Sequence, residues 1–116
     1  MNLGVLGKKG EDMVASFIRK NGDTVIKRNY ISRFGEIDII AKNQKEIIFV
    51  EVKTRQENSF VKPCEAVDSN KIRRMTLTAE DYLSKTETML QPRFDVAEVT
   101  VKGDGSFHLN YIKNAF

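Results

Sequence analysis

The sequence has little of what several classes of protein require: one cysteine, one histidine and two prolines in 116 residues. The single cysteine, Cys64, cannot form a disulfide within the chain, and nothing beside it or beside the only histidine, His108, supports a nucleophilic Cys–His pair. No apolar run approaches the roughly 18 residues that span a bilayer, and the first residues lack the apolar stretch of a signal peptide. We therefore expect a cytoplasmic protein with no membrane-spanning segment.

A strong charge of one sign is also lacking, because 19 basic residues stand against 16 acidic ones. The net charge of +3 does not by itself indicate a nucleic-acid partner, but the basic residues are clustered. The first cluster contains Arg19, Lys20, Lys27, Arg28 and Arg33, and the second contains Lys71, Arg73 and Arg74. The clusters form either a phosphate-binding surface or two solvated faces, and charge alone leaves both interpretations open.

Hydrophobic periodicity predicts the element order α-β-β-β-α-β-β within one domain that spans residues 1–116. The predicted helices cover 6–22 and a segment from 66–70 to about 85, and the predicted strands cover 24–31, 36–42, 46–55, 93–102 and 106–113. A meander of three strands, a crossover helix and two further strands indicate an α/β fold with a mixed central β-sheet flanked by helices.

Acidic residues interrupt two of the predicted strands, in the segment GEIDIIAKNQKEIIFVEVK (35–53). Because side chains alternate across a strand, Glu51 and Lys53 share one face of the third strand, and Asp38 shares a face of the second strand with Ile40. A hairpin connection with an even number of residues puts Asp38 and Glu51 on the same side of the sheet, roughly 5–8 Å apart. Two carboxylates at that distance repel each other, and burial would strengthen the repulsion or raise a pKa.

A divalent cation would remove this repulsion. Mg²⁺ is commonly bound by one or two carboxylates together with water and a substrate phosphate. Lys53 could then stabilise charge on the phosphate or orient an attacking water. Glu11 lies on the apolar face of the first helix with Val14 and Ile18, so it could point toward the sheet as a further ligand, direct or through water.

Each of these residues also has a plainer interpretation. Glu51 and Lys53 could lie on a solvated face of the sheet, and Glu11 could be a first-turn acid that the helix dipole favours. Asp38 is harder to explain in this way, because aspartate is a poor strand former. The presence of all four residues in this order favours a common site over chance.

A helix glutamate, a strand aspartate and Glu-x-Lys about a dozen residues later resemble the PD-(D/E)XK nuclease superfamily, in particular the archaeal-type Holliday junction resolvases. The closer resemblance is to the YraN family of predicted endonucleases. It is carried by the segments GKKGED, RNYISRFGEIDIIA, FVEVKTR, EAVDSNKIRRM and RFDV, which cover most of the chain from Gly7 to Val96. Two positions depart from the family pattern, since Ile31 stands where a basic residue is frequent and Val61 where glycine is usual.

The resemblance implies a restriction-endonuclease-like fold and hydrolysis of DNA phosphodiester bonds with Mg²⁺ or Mn²⁺. It implies that Asp38, Glu51 and the backbone carbonyl of Val52 bind the metal. It also implies that Lys53 is the catalytic lysine and that Glu11 is the acid of the first helix. The residues expected to contact nucleic acid are Arg28, Arg33, Arg55, Lys71 and Arg74.

Three functions compete at this point. A metal-dependent endonuclease acting on branched or otherwise structured DNA would need Asp38, Glu51 and Lys53. A nucleic-acid-binding module that retains the nuclease fold without cutting would bind through the basic clusters, with a strong salt dependence and no need for metal. A small interaction protein would dock a partner on its acidic face, but the complete acid–acid–lysine set argues against it. Because junction resolvases cut two strands with two subunits, the first function also carries the expectation of a homodimer, for which the sequence shows no interface.

Overall fold

Two helices and five strands make up the computed structural model, which describes residues 3–57 and 68–116. The helices are α1 (Leu3–Lys20) and α2 (Ser69–Ser84), and the strands are β1 (Thr24–Ser32), β2 (Gly35–Lys42), β3 (Glu46–Gln56), β4 (Gln91–Val101) and β5 (Phe107–Ile112). The predicted order α-β-β-β-α-β-β is confirmed. Val61 and Cys64 lie outside the described residues.

The strands form one sheet in the order in which they follow along the chain. β3 and β4 run parallel, whereas the other neighbouring pairs are antiparallel. A parallel pair needs a crossover connection, and α2 lies within the connection from β3 to β4. The prediction of a mixed sheet flanked by helices is therefore confirmed.

The two helices cover opposite faces of the sheet, because the side chains of each strand alternate between the faces. On β3, Ile48 and Val50 pack with α1, whereas Ile47 and Phe49 pack with α2. The buried members of the cluster beside α1 are Val14, Ala15, Ile18, Ile39, Ala41, Ile48, Val50, Ala97 and Val99. Those of the cluster beside α2 are Ile37, Ile40, Ile47, Phe49 and Ala79. These two sides of the sheet are called the α1 face and the α2 face below.

Local signals explain where α1 ends and where α2 begins. α1 ends at Lys20, and Gly22 follows with a φ of 90°, which favours glycine. α2 is capped by Asp68, whose side chain accepts a hydrogen bond from the backbone N–H of Lys71 at 2.9 Å. The cap places Lys71 in the first turn of α2. Neither helix in the described part of the chain is long and apolar enough to cross a membrane.

β4 begins at Gln91, two residues before the predicted start, which was set just after Pro92. The backbone N–H of Gln91 donates to the carbonyl of Lys45 at 2.9 Å, so the parallel pairing with β3 is already established before the proline. Proline is tolerated in a strand at its beginning, where the loss of one N–H does not interrupt the ladder.

A buried ion pair connects β3, β4 and β5 on the α1 face. The guanidinium of Arg93 donates to Asp95 at 2.8 and 2.9 Å and to Glu46 at 2.7 Å. The Tyr111 hydroxyl donates to the same Asp95 carboxylate at 2.6 Å. Both carboxylate oxygens of Asp95 thus accept hydrogen bonds from within the fold.

Candidate active site

The candidate site lies where the ladder between β2 and β3 ends, at the pair Ile39 and Val50. Just beyond that pair, the backbone N–H of Val52 donates to Oδ2 of Asp38 at 2.7 Å, in place of a backbone carbonyl of β2. One further step of the register would put Asp38 opposite Glu51, which is one of the two arrangements, direct or diagonal, that the hairpin length allows. The alternation of β2 is interrupted at Asp38, because Ile39 packs beside α1 and Ile37 beside α2. The Asp38 and Glu51 carboxylates are called the acidic pair below.

Strand geometry also gives the direction of one peptide oxygen. The N–H and C=O of a strand residue point toward the same neighbouring strand. Because the N–H of Val52 is directed at Asp38, the carbonyl of Val52 is directed toward the same gap between β2 and β3. A peptide oxygen and the Asp38 carboxylate are therefore directed at this gap, and Glu51 is near enough for its charge to act on Asp38.

Burial raises the pKa of the Asp38 carboxyl to about 7. The negative charge of Glu51 acts in the same direction, and Glu11 and Glu36 add smaller contributions, whereas the hydrogen bond from the Val52 N–H lowers the pKa. The repulsion within the acidic pair is thus present, as its spacing predicts. A cation between the two carboxylates would reverse the effect.

Glu51 is 3 % exposed and is held by two ammonium groups. Its Oε1 lies 3.2 Å from Nζ of Lys53 and 3.1 Å from Nζ of Lys71. Lys53 comes from the same strand and the same α2 face, whereas Lys71 comes from the first turn of α2. Two elements that are distant in sequence therefore place their lysines on one carboxylate oxygen.

Glu11 approaches the acidic pair from α1, on the other side of the sheet. Its charge contributes to the raised pKa of Asp38, so the two carboxylates lie within electrostatic range. The approach depends on Gly10, where a Cβ would lie only 2.2 Å from Oγ1 of Thr54 on β3. A residue without a side chain at this position therefore lets α1 lie close to the strand that carries Glu51.

Arg28 lies on the α1 side of the sheet, where its guanidinium is 3.3 Å from Glu11 and 2.8 Å from Asp12. The next residue, Asn29, has a φ of 53° and breaks the alternation of β1. As a result, Arg28 points toward α1 while the Tyr30 hydroxyl donates to Asp81 on α2. Of the basic residues expected to contact nucleic acid, Arg28 is therefore held by carboxylates and separated from the rest.

The other basic residues of that group lie on or beside the α2 face. Arg33 is exposed in the turn between β1 and β2, with its guanidinium 4.8 Å from the centre of the Phe34 ring. Arg74 is exposed on α2 next to Gly35, and it lines a pocket of about 340 Å³ with Phe34. Arg55 is half-buried on β3, on the same face as Lys53 by alternation. Arg33, Arg55, Arg74 and Lys71, of which Lys71 contacts Glu51, are called the basic rim below.

The donor atoms at the site fit a hard divalent cation. In the described part of the chain, no three or more His, Cys, Asp and Glu side chains are grouped so that they could hold a metal by themselves. Two carboxylates and a peptide oxygen are instead the available set, and all of these donors are oxygen. Mg²⁺ accepts such a set because it keeps several waters and needs only one or two protein carboxylates.

Sequence reasoning assigned no role to Glu98, which the structure brings next to Lys53. β3 and β4 pair in parallel with Lys53 opposite Glu98, and Glu98 is 7 % exposed. The local pattern of β4 shows that this acid interrupts an apolar run. It does not show which strand lies beside it, because parallel pairing depends on the crossover.

Comparison with known proteins identifies the family to which the chain belongs. A family model described as "Uncharacterised protein family UPF0102" matches residues 10–99. The chain belongs to this family. UPF0102 proteins from Persephonella marina and Alkaliphilus metalliredigens are 39% and 42% identical to it, over 97% and 96% of this chain and 93% and 96% of their own length. A third UPF0102 protein, from Syntrophotalea carbinolica, is 43% identical over 85% of this chain and 81% of its own. The YraN-like resemblance is thus confirmed at the level of the family, and the names of its members state no activity.

Proposed function

We propose that this UPF0102 protein is a metal-dependent endonuclease that hydrolyses DNA phosphodiester bonds, with branched or structured DNA as its substrate. The observation that carries the proposal is the end of the β2–β3 ladder. There Asp38 accepts the Val52 N–H, the charge of Glu51 acts on Asp38, and Lys53 lies 3.2 Å from Glu51. A restriction-endonuclease-like fold belongs to the same proposal. It is supported by the mixed five-stranded sheet between two helices.

Each residue of the site has a distinct part in this proposal. Asp38, Glu51 and the Val52 carbonyl would hold Mg²⁺ or Mn²⁺, and a bound ion of this kind activates water and neutralises charge on a phosphate. Lys53 supplies an ammonium on the same face, where it can stabilise charge that develops on the phosphate. Glu11 would act through water from the α1 side.

The basic rim supports a nucleic acid as the substrate. Arg33, Arg55, Lys71 and Arg74 lie on or beside the α2 face, on which Glu51 and Lys53 also lie. Lysine and arginine bind phosphates through charge and hydrogen bonds, and their placement along a groove fixes the register of a strand. A DNA strand lying along this rim would bring a phosphate to the acidic pair.

A second candidate is a nucleic-acid-binding module that does not cut. It is favoured by one observation: the Glu51 carboxylate already has two ammonium partners within 3.2 Å, so its charge is balanced without a metal. In that case the lysines would hold the fold together and the basic rim alone would bind DNA.

The two functions are separated by a cleavage assay on labelled single-stranded, duplex, flapped and four-way-junction DNA, with Mg²⁺, Mn²⁺ or chelator. We expect metal-dependent cleavage by the wild type and loss of cleavage in Glu51→Gln. Glu36→Gln is the matched control, because Glu36 is an exposed carboxylate on β2 near the pair. Cleavage that persists in an Asp38→Asn, Glu51→Gln double variant would contradict the proposal, and binding without any cleavage would favour the second candidate.

Lys53→Ala tests the step that follows metal binding. Loss of one preorganised charge-stabilising group reduces turnover by about 10²- to 10³-fold, so we expect at least this loss while band shifts with DNA are retained. Lys45→Ala, in the exposed turn between β2 and β3, is the control for removal of one lysine. A wild-type cleavage rate in the Lys53→Ala variant would remove Lys53 from the mechanism.

The proposal includes a homodimer if the substrate is a junction, because cleavage of two strands needs two sites. Sedimentation of the protein with and without four-way-junction DNA measures the number of copies bound. One copy per junction, together with cleavage of a single strand, would contradict this part.

A further inference from the structure

Glu98 lies at the centre of the α2 face of β4, between two polar neighbours. In the sheet register it is opposite Lys53 on β3 and opposite Asn110 on β5. Phe94 and Phe49 stack on the same face earlier in this register, with ring centres 5.5 Å apart. Alternation from this stacked pair places Glu51, Lys53 and Glu98 on one face of two neighbouring strands.

The Glu98 carboxylate is buried, yet its hydrogen bonds are incomplete. It is 7 % exposed, and among the described residues Oε2 accepts one long hydrogen bond, of 3.4 Å, from the Asn110 side chain. Its Oε1 is buried and has no hydrogen-bond partner among the described residues. A buried carboxylate oxygen without a partner destabilises a fold, so its presence calls for a role.

The two buried glutamates of this face differ in their ammonium partners. Lys53 and Lys71 both place their ammonium groups on Oε1 of Glu51, while Glu98 has no ion pair with a described residue within 4 Å. If a divalent cation binds Glu51, as proposed above, it repels both ammonium groups from that oxygen. For Lys53, the unpartnered oxygen of Glu98 is directly across the strand pair and within reach of a long, flexible side chain.

We infer that Glu98 is a positioning residue for Lys53: it accepts the Lys53 ammonium when a divalent cation takes Glu51, and it holds that ammonium beside the bound phosphate. The inference rests on the proposed metal-dependent function and adds a residue to it. Glu98 does not bind the metal itself. By accepting Lys53, Glu98 leaves the Glu51 carboxylate free to bind the metal.

The test is a double-mutant cycle on Mn²⁺ affinity, measured by calorimetry in the absence of DNA. The four proteins are wild type, Glu98→Gln, Lys53→Met and the double variant. Glutamine keeps the shape of residue 98 but not its charge, so Lys53 stays on Glu51 and competes with the ion. We expect Glu98→Gln to weaken Mn²⁺ binding roughly tenfold when Lys53 is present and less than about twofold in the Lys53→Met background, since groups in contact couple by such factors.

Two controls keep the result specific. Glu36→Gln removes a carboxylate near the site that does not face Lys53, and we expect the same small effect in both backgrounds. Glu98→Asp restores the charge on a shorter side chain and should recover part of the Mn²⁺ affinity.

The melting temperature of metal-free Glu98→Gln should be equal to or above that of the wild type, because the variant no longer buries an incompletely paired charge.

Each of the other outcomes contradicts the role inferred for Glu98. An equal loss of affinity in both backgrounds would make Glu98 a direct ligand. A lower melting temperature without any change in Mn²⁺ affinity would make it a structural residue. If the wild type binds Mn²⁺ and the cycle shows no coupling, the inference fails and the proposed function stands. If the wild type binds no Mn²⁺ without DNA, the inference fails, and the cleavage assay above decides the proposed function.

Discussion

Asp38 connects the local backbone with the chemistry proposed for the site. Its side chain accepts the Val52 N–H, so the β2–β3 ladder ends without an unpaired donor at that point. The same placement puts a carboxylate beside Glu51 in a half-buried position, where the pKa of Asp38 rises to about 7. Asp38 therefore ends the pairing of β2 with β3 and also provides a carboxylate that a cation could bind.

Asp38→Asn should change stability in a pH-dependent way in metal-free protein. Because the folded pKa of Asp38 is above its ordinary value of 3.8, the folded state holds this proton between pH 4 and 7 and the unfolded state does not. The free energy of unfolding of the wild type therefore falls as pH rises through this window. Asparagine removes the effect, so the variant should gain roughly 1–2 kcal/mol over the wild type between pH 5 and pH 8.

Urea unfolding with chelator at pH 5 and pH 8 measures this difference. Glu36→Gln, which removes an exposed charge, is the control. An Asp38→Asn effect of the same size at both pH values would mean that Asp38 is ionised in the folded state at pH 5.

The contact between α1 and β3 is the element-scale feature on which Glu11 depends. The two elements approach closely at Gly10 and Thr54. Glycine in a helix interior usually lowers stability, so close packing is the physical reason for it here. The position of Glu11 relative to the acidic pair follows from this approach, since it is the next residue.

Gly10→Ala and Gly7→Ala form a matched pair on one helix. A Cβ at Gly10 would meet Thr54 Oγ1 at 2.2 Å, whereas a Cβ at Gly7 has nothing within 4 Å. We expect Gly10→Ala to lower the free energy of unfolding by about 1–3 kcal/mol, because an overpacked contact must shift. Gly7→Ala should raise it by about 0.5–1 kcal/mol through the higher helix propensity of alanine.

Thermal or urea unfolding distinguishes the two variants. Adding Thr54→Ala to Gly10→Ala removes the hydroxyl in the close contact, and it should recover part of the lost stability. If both glycine variants are stabilised alike, the close approach of α1 and β3 is not what requires glycine at position 10.

At the scale of the whole molecule, basic residues are divided between the two faces of the sheet. Arg28 is held by Glu11 and Asp12 on the α1 side, whereas Arg33, Lys71 and Arg74 lie on the α2 side. The net charge of +3 therefore understates the local field beside the acidic pair. Under the proposed function, DNA binding should depend on the α2 side alone.

Salt-dependent DNA binding by single-alanine variants tests this division. Each lost phosphate contact reduces the slope of log K against log salt concentration by about 1. We expect such a reduction for Arg33→Ala and Arg74→Ala, and little change for Arg28→Ala and for the control Lys45→Ala. Equal slopes for all four variants would place the nucleic acid elsewhere or exclude specific phosphate contacts.

The part of the site that the sequence predicted is the part that one hairpin contains. The parity of the β2–β3 connection predicts that Asp38 and Glu51 are direct or diagonal neighbours, and alternation puts Lys53 on the same face as Glu51, so residues close along the chain suffice. Arg28 was grouped with the nucleic-acid contacts, but it lies on the α1 side with Glu11 and Asp12. The reason is the positive φ of Asn29, which reverses the alternation of β1 at that point. The early start of β4 at Gln91 was missed because its reason is a hydrogen bond to Lys45, which is remote in sequence.

The sequence by itself determined the order of the helices and strands and the hairpin parity that brings Asp38 near Glu51, since both follow from local periodicity. Only the tertiary structure decided that Lys71 contacts Glu51 and that Glu98 lies opposite Lys53. These contacts depend on the crossover through α2 and on the parallel register of β3 and β4. The physical reason is that a period of two or 3.6 residues specifies which face is buried, but not which distant segment covers it.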